Sequence, residues 1–166
     1  MAKLDSAAQF LVDCNINEST FRYFFMCAVK CHEPQATFQT EWYKCDLLIE
    51  IPKNDSCDSA AVEFKFYFGA NRTRSLDGKL GGWKGGPSLQ NEAEFQACVT
   101  KLKALSYPKL NLKFLVVVYR RGIVRDRSKH SFERSYADLT PFGLDSFEVI
   151  EHETSEHVTC NLIRVP

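Results

Sequence analysis

The sequence lacks the CxxC pairs of a structural zinc site, although seven cysteines occur among its 166 residues. Its first residues contain no apolar signal core, and no apolar run is long enough to span a bilayer. These absences predict a cytoplasmic protein with free thiols and no membrane partner.

The sequence also has no net charge at neutral pH, because 21 Lys and Arg residues balance 21 Asp and Glu residues. This balance argues against avid, non-specific binding to nucleic acid, although a local basic patch stays open as an alternative. No GxSxG sequence occurs, and the four histidines stand in no recognisable catalytic context. A serine or cysteine hydrolase is therefore poorly supported.

Length and composition predict a single globular domain over residues 1–166. Hydrophobic residues make up 45% of the chain and charged residues 25%, which is typical of globular proteins. A chain of this length can bury a sizeable core, to which its 13 phenylalanines contribute bulk.

The clearest strand pattern lies over residues 60–68, where apolar side chains alternate with Glu63 and Lys65. An apolar stretch over residues 42–51 predicts the preceding strand, with Asp46 in its middle, and residues 37–51 as a whole form either one long strand or a hairpin. A solvent-facing strand also alternates, so alternation alone does not show a site. A carboxylate in an apolar strand is costly unless it is paired or bound to a metal. Asp46 therefore marks a candidate site.

The remaining elements predict an α/β (α+β) fold, a mixed β-sheet flanked by helices. One helix is predicted over residues 17–32 and a second from Ser88 onward. The apolar run 112–119 predicts a central strand, parallel to strand 60–68 because a helix connects the two. Residues 147–165 predict a C-terminal β-hairpin.

Residues 69–87 are rich in glycine and basic residues and predict a long loop. Glycine lets the backbone approach a ligand, cations suit phosphates, and an aromatic ring can stack on a base. A solvated surface loop explains the same composition. A second basic run follows strand 112–119. The candidate nucleic-acid-binding residues of both segments are Arg72, Arg74, Lys79, Trp83, Lys84, Arg120 and Arg121.

Two carboxylates and a lysine on neighbouring strands have the composition of a metal-dependent phosphodiesterase site. Asp46 and Glu63 are the candidate catalytic metal ligands, the Phe64 carbonyl is a third ligand, and Glu18 is a further one. Lys65 would orient the attacking water or stabilise charge on the phosphate. The expected cofactor is Mg²⁺ or Mn²⁺, because both accept oxygen ligands.

Each of these residues also has a purely structural explanation. Glu63 and Lys65 can form an ion pair on a strand surface, and Asp46 can cap a turn. Glu50 shares the strand parity of Asp46 and is its rival as a ligand.

This order of elements resembles the restriction-endonuclease-like superfamily, the PD-(D/E)xK phosphodiesterases. The residues that carry the resemblance are Glu18 on a helix, Asp46 on a strand and Glu63–Lys65 on the next strand. It spans about residues 17–121 and implies a core in α-β-β-β-α-β order. Cys45 stands where the motif has its proline.

The resemblance implies a metal-dependent nuclease that hydrolyses phosphodiester bonds, with DNA favoured over RNA. Many such nucleases act as dimers, so a homodimer stays open. One alternative is a non-catalytic protein of the same fold that binds nucleic acid or a protein partner. Another is an unrelated α+β ligand-binding protein. Convergence of Asp46, Glu63 and Lys65 in one cleft would distinguish the nuclease from the second alternative.

Overall fold

The described part of the chain is an α+β structure, as the sequence predicts. The computed structural model describes residues 18–67, 71–74, 80–84, 89–120, 148–154 and 158–166. In chain order, its helices and strands are α1 (Glu18–His32), β1 (Thr37–Thr40), β2 (Leu47–Pro52), β3 (Cys57–Tyr67), β4 (Asn71–Arg74), β5 (Leu80–Lys84), α2 (Leu89–Ala104), β6 (Leu112–Arg120), β7 (Glu148–Thr154) and β8 (Val158–Arg164).

Six of the strands form one mixed sheet in the order β1-β2-β3-β6-β8-β7. Strand β2 runs antiparallel to both β1 and β3, and β6 is parallel to β3. The predicted parallel pair is therefore confirmed, with α2 in the connection between its strands. The predicted C-terminal hairpin is also confirmed, because β7 and β8 pair antiparallel at one edge of the sheet.

The stretch predicted as one strand over residues 42–51 begins instead with a turn that separates β1 from β2. Glu41 and Tyr43 have positive φ angles of 54° and 52°, which end β1. The Cys45 N–H donates to the Trp42 carbonyl at 2.8 Å and closes the turn. Asp46 therefore lies directly before β2, and its predicted position in the middle of a strand is wrong.

The prediction of a continuous loop over residues 69–87 is also wrong, because this segment contains β4 and β5. They form a separate two-stranded antiparallel ribbon, in which Asn71 pairs with Lys84 and Arg72 with Trp83. A β-branched residue, Thr73, and an aromatic residue favour extended backbone within this glycine-rich segment.

The two helices cover opposite faces of the sheet, and each covers its own apolar layer. Phe21 of α1 packs in one layer with Phe64, and partly buried residues of α1 extend it. On the opposite face, Phe95 and Leu102 of α2 pack against strand residues such as Val117. Neither helix is long and apolar enough to cross a bilayer.

Candidate functional site

Asp46 connects the start of β2 to the second half of β3. Its Oδ2 atom accepts a hydrogen bond of 2.7 Å from the Phe64 N–H. This bond lies just beyond the first residue pair of the β2–β3 ladder, Leu47 with Val62. The N–H and C=O of a strand residue point to the same side of the strand. The Phe64 carbonyl therefore faces the side on which Asp46 lies.

Glu63 is a buried carboxylate with two ammonium groups at one of its oxygens. Its side chain is 6% exposed, and its Oε1 atom lies 3.2 Å from Lys65 Nζ and 2.7 Å from Lys101 Nζ. Its buried Oε2 atom has no hydrogen-bond partner among the residues that the structure describes. An unpartnered carboxylate oxygen is costly to bury, so its place in a native fold requires an explanation.

Arg22 of α1 fixes the β1–β2 turn beside the Asp46 carboxylate. Its guanidinium donates to Glu41 Oε1 at 2.6 Å and to the Asp46 carbonyl at 3.1 Å. The same group lies 3.7 Å from Asp46 Oδ1. Arg22 stands one helical turn after Glu18, so α1 presents both side chains on one side.

The pKa values of the two partly buried carboxyls are raised. Burial raises the pKa of Asp46, the Phe64 N–H lowers it, and the nearby charge of Glu63 raises it further. Burial also raises the pKa of Glu18, Lys65 lowers it, and Asp46 raises it. The mutual effects of these groups place Glu18 in the same electrostatic environment as Asp46 and Glu63.

Lys65 carries a positive charge at neutral pH. Burial lowers the pKa of its ammonium, but Cys98, Glu63 and Glu18 raise that pKa, and the net shift is upward. A lysine with a raised pKa cannot serve as a general base near neutral pH, because it holds its proton. Lys65 is therefore suited to orienting or charge-stabilising roles.

Lys65 thus contacts Glu63, Asp46 accepts the N–H of Phe64 between them, and Glu18 interacts with these charges electrostatically. Glu50, the rival ligand, is exposed and pairs in register with Ser59. It lines a groove of about 470 Å³ together with aromatic residues of the β1–β2 turn and of the connection before β6. Neither Asp46 nor Glu63 contributes to that groove.

The sequence did not indicate that Arg22 and Lys101 contact the site carboxylates. Arg22 follows Glu18 by four residues, a spacing that places two helical side chains side by side. Lys101 follows the buried Cys98 by three residues and borders the apolar stripe of α2. Such a border position is usually occupied by a solvated lysine, so the contact with Glu63 had no specific signal in the sequence.

Most of the predicted nucleic-acid-binding residues lie on described backbone, in two separate places. Arg72, Arg74, Trp83 and Lys84 belong to the β4–β5 ribbon, and Arg120 ends β6. Lys79 and Arg121 lie outside the described residues. In the ribbon, Arg72 stands opposite Trp83 in the strand register.

The donor atoms of the site fit a hard cation in part. Within the described ranges, no group of three or more His, Cys, Asp and Glu side chains could hold a metal ion. Mg²⁺ often binds through one or two carboxylates and keeps several waters. Asp46, the unpartnered Oε2 atom of Glu63 and the Phe64 carbonyl are the oxygen ligands available for it.

The buried thiols near Glu63 are poor nucleophiles. Burial and the charge of Glu63 raise the pKa of Cys98 to about 12 and that of Cys45 to about 11. A raised thiol pKa lowers the fraction of thiolate at any pH below it, and thiolate is the reactive form. The six described cysteines are free, as predicted, and several of them are exposed.

A thiol-reactive probe such as dithiodipyridine is therefore expected to distinguish two groups of cysteines. At a pH of about 8, the exposed Cys27, Cys31 and Cys57 should react quickly, and the buried Cys45 and Cys98 only as the protein unfolds. Peptide mass spectrometry over a time course measures both rates. Rapid labelling of Cys98 in the folded protein would contradict its burial against Glu63.

Comparison with known proteins yields no match: neither a protein-family model nor a curated protein nor a solved structure significantly matches this chain.

Proposed function

We propose that this protein is a metal-dependent nuclease that hydrolyses phosphodiester bonds at the site formed by Asp46, Glu63 and Lys65. The observation that carries the proposal is the buried Oε2 atom of Glu63, which has no partner in the described part of the chain. It belongs to the same group of charges as Asp46 and Lys65. A divalent cation would supply the partner that this oxygen lacks.

The roles of the chain's own residues follow from their positions. Asp46 and Glu63, with the Phe64 carbonyl, would hold Mg²⁺ or Mn²⁺. When bound, such a cation polarises a phosphate oxygen and lowers the pKa of a water molecule. Lys65 would orient the attacking water and offset the negative charge that develops on the phosphate. The Phe64 N–H fixes the Asp46 carboxylate in its orientation.

The order of the elements supports a restriction-endonuclease-like core. Helix α1, the β1-β2-β3 meander, α2 and β6 follow one another in the α-β-β-β-α-β order of that superfamily, with the β4–β5 ribbon inserted before α2. The stretch over residues 37–51, for which the sequence left one strand or a hairpin open, contains both β1 and β2, so three strands precede α2 in this meander. In this proposal, Asp46 and the Glu63–Lys65 stretch take the positions of the superfamily's motif.

The substrate in this proposal is nucleic acid, with DNA favoured over RNA by the resemblance alone. The β4–β5 ribbon would contact the phosphates through its basic residues, and Trp83 would stack on a base. Arg120 would bind backbone phosphates where β6 ends. A homodimer stays a part of the proposal that oligomeric-state measurements in solution would test.

A non-catalytic protein of the same fold is the second candidate. Two ammonium groups already neutralise Oε1 of Glu63, and a group of three metal-binding side chains is lacking over the described ranges. In that case the lysines would pair with Glu63 permanently, and the protein would bind nucleic acid or a protein partner without cleaving it. Metal binding separates the two candidates.

Replacing Asp46 by asparagine is expected to weaken Mn²⁺ binding on the order of 10- to 100-fold or more. Asparagine keeps an oxygen that can accept the Phe64 N–H but removes the charge that attracts the cation. Calorimetric titration of Mn²⁺ into both proteins measures the change, and a cleavage assay on single- and double-stranded DNA and RNA accompanies it. Wild-type affinity should also fall as the pH is lowered towards the raised pKa of Asp46, because protons compete with the cation.

The matched control is Glu50→Gln, which removes an exposed carboxylate from β2, the strand that follows Asp46, without touching Glu63. Its Mn²⁺ affinity should equal that of wild type. Metal binding that is lost in Asp46→Asn, together with metal-dependent cleavage by wild type, would support the nuclease. If wild type binds no Mn²⁺, or binds it equally well without Asp46, the catalytic proposal is wrong.

A further inference from the structure

Among the described residues, Lys101 is the closest cation to the buried carboxylate, and it comes from a separate element. Its Nζ atom lies 2.7 Å from Glu63 Oε1, against 3.2 Å for Lys65. Lys65 stands two residues from Glu63 on β3, whereas Lys101 reaches it from the last turn of α2. The carboxylate is thus held by one lysine of its own strand and by a second lysine across the sheet–helix interface.

Cations already act on the carboxylates of this region. The carboxylates of Glu18, Asp46 and Glu63 interact with one another, and Arg22 and Lys65 act on the same groups. Lys101 contacts Glu63 directly, whereas Arg22 is shared with Glu41. A divalent cation that enters this partly buried region is repelled by the nearest ammonium unless that ammonium moves away.

Lys101 is better placed to move than Lys65. Its side chain is 31% exposed, whereas that of Lys65 is 22% exposed. A lysine carries its charge on a flexible four-carbon stem, so the ammonium of Lys101 can turn into solvent while α2 stays in place. Lys65 stands on β3, in register with Val117 of β6, and has the same carboxylate as its close partner.

We propose that Lys101 competes with a divalent cation for Glu63. In the metal-free protein its ammonium neutralises the buried carboxylate, and it withdraws when the cation binds. This inference rests on the proposed metal site. Lys101 is a positioning residue in this account, because it acts on Glu63 and through it on the cation.

Replacing Lys101 by methionine is expected to strengthen metal binding and to weaken the metal-free fold. Mn²⁺ should bind more tightly, on the order of 10-fold or more, because a competing charge is removed. The metal-free protein should unfold at a lower temperature, because Glu63 loses its closest cation. A purely structural lysine would show the second effect without the first.

Calorimetric titration of Mn²⁺ and thermal unfolding with and without Mn²⁺ measure both effects at neutral pH. Lys53→Met is the matched control, because Lys53 lies at the opposite end of the β2–β3 ladder and pairs with Asp58. It removes the same charge from the chain but not from the site. Lys101→Gln is the second variant, and it is expected to show the same tighter binding should the methionine variant fold poorly.

The outcomes separate this inference from the function on which it rests. Tighter Mn²⁺ binding in the Lys101 variants, but not in Lys53→Met, supports the competition. Equal or weaker binding in the Lys101 variants overturns the competition and leaves the metal site standing. If neither wild type nor any variant binds Mn²⁺, the proposed function and this inference are both wrong.

Discussion

Replacing Lys65 by methionine is expected to lower kcat for phosphodiester cleavage roughly 100- to 1,000-fold. The raised pKa of Lys65 keeps it positively charged, so its contribution is electrostatic and arises as charge develops on the phosphate. Methionine has a similar length but no charge, and it leaves Lys101 to pair with Glu63. Mn²⁺ affinity should be retained or increased, because the carboxylates are intact.

Single-turnover cleavage and Mn²⁺ titration of the same preparations test this separation of binding from chemistry. Lys53→Met again serves as the control for the loss of a lysine away from the site. A Lys65→Met protein that cleaves at the wild-type rate would remove Lys65 from the mechanism. Loss of Mn²⁺ binding together with activity would instead make Lys65 a support for the metal ligands.

The strands around the site could be predicted because their side chains carry a periodic signal. Glu63 and Lys65 alternate with apolar residues, and the run over 112–119 is apolar on both faces, as a central strand requires. The parallel pairing of these strands then follows from the helix between them. Local pattern and topology rules were sufficient for this part of the fold.

The sequence left a hairpin over residues 37–51 as one of two alternatives but did not give the position of the β1–β2 turn, because the cause of that turn is tertiary. Trp42 is buried, and its ring packs edge-on against the Tyr107 ring with 5.1 Å between centroids. That contact joins residues far apart in sequence, and it accompanies the positive φ angles of Glu41 and Tyr43. Read locally, the same apolar residues continue a strand, which is why Asp46 was predicted within one.

The partners of the site carboxylates were missed for a related reason. Arg22 and Lys101 reach Asp46 and Glu63 from two helices on opposite faces of the sheet. A lysine or arginine at the border of an apolar stripe is common in helices. Its ion-pair partner is set by the packing of the helix on the sheet, which sequence periodicity does not specify.

The largest effect on stability is expected from Phe64→Ala, which should lower the free energy of unfolding by about 3–5 kcal/mol. Phe64 is 1% exposed, and its ring packs edge-on against Phe25 at 5.2 Å and Phe21 at 6.0 Å. Removing the ring leaves a cavity between β3 and α1. Single domains are stable by about 5–15 kcal/mol, so the variant should lose a large fraction of its stability.

Urea denaturation followed by circular dichroism measures this loss, with Phe24→Ala as the control. Phe24 is a neighbour in the same helix as Phe25 but is 57% exposed, so its removal should change the free energy by less than about 0.5 kcal/mol. Phe64→Leu fills most of the cavity and should cost less than the alanine variant. Equal destabilisation by Phe24→Ala and Phe64→Ala would contradict the packing of α1 on this face of the sheet.

Because the Phe64 N–H also holds Asp46, retained Mn²⁺ affinity in Phe64→Leu would show that the backbone of β3, and not the ring, positions the site.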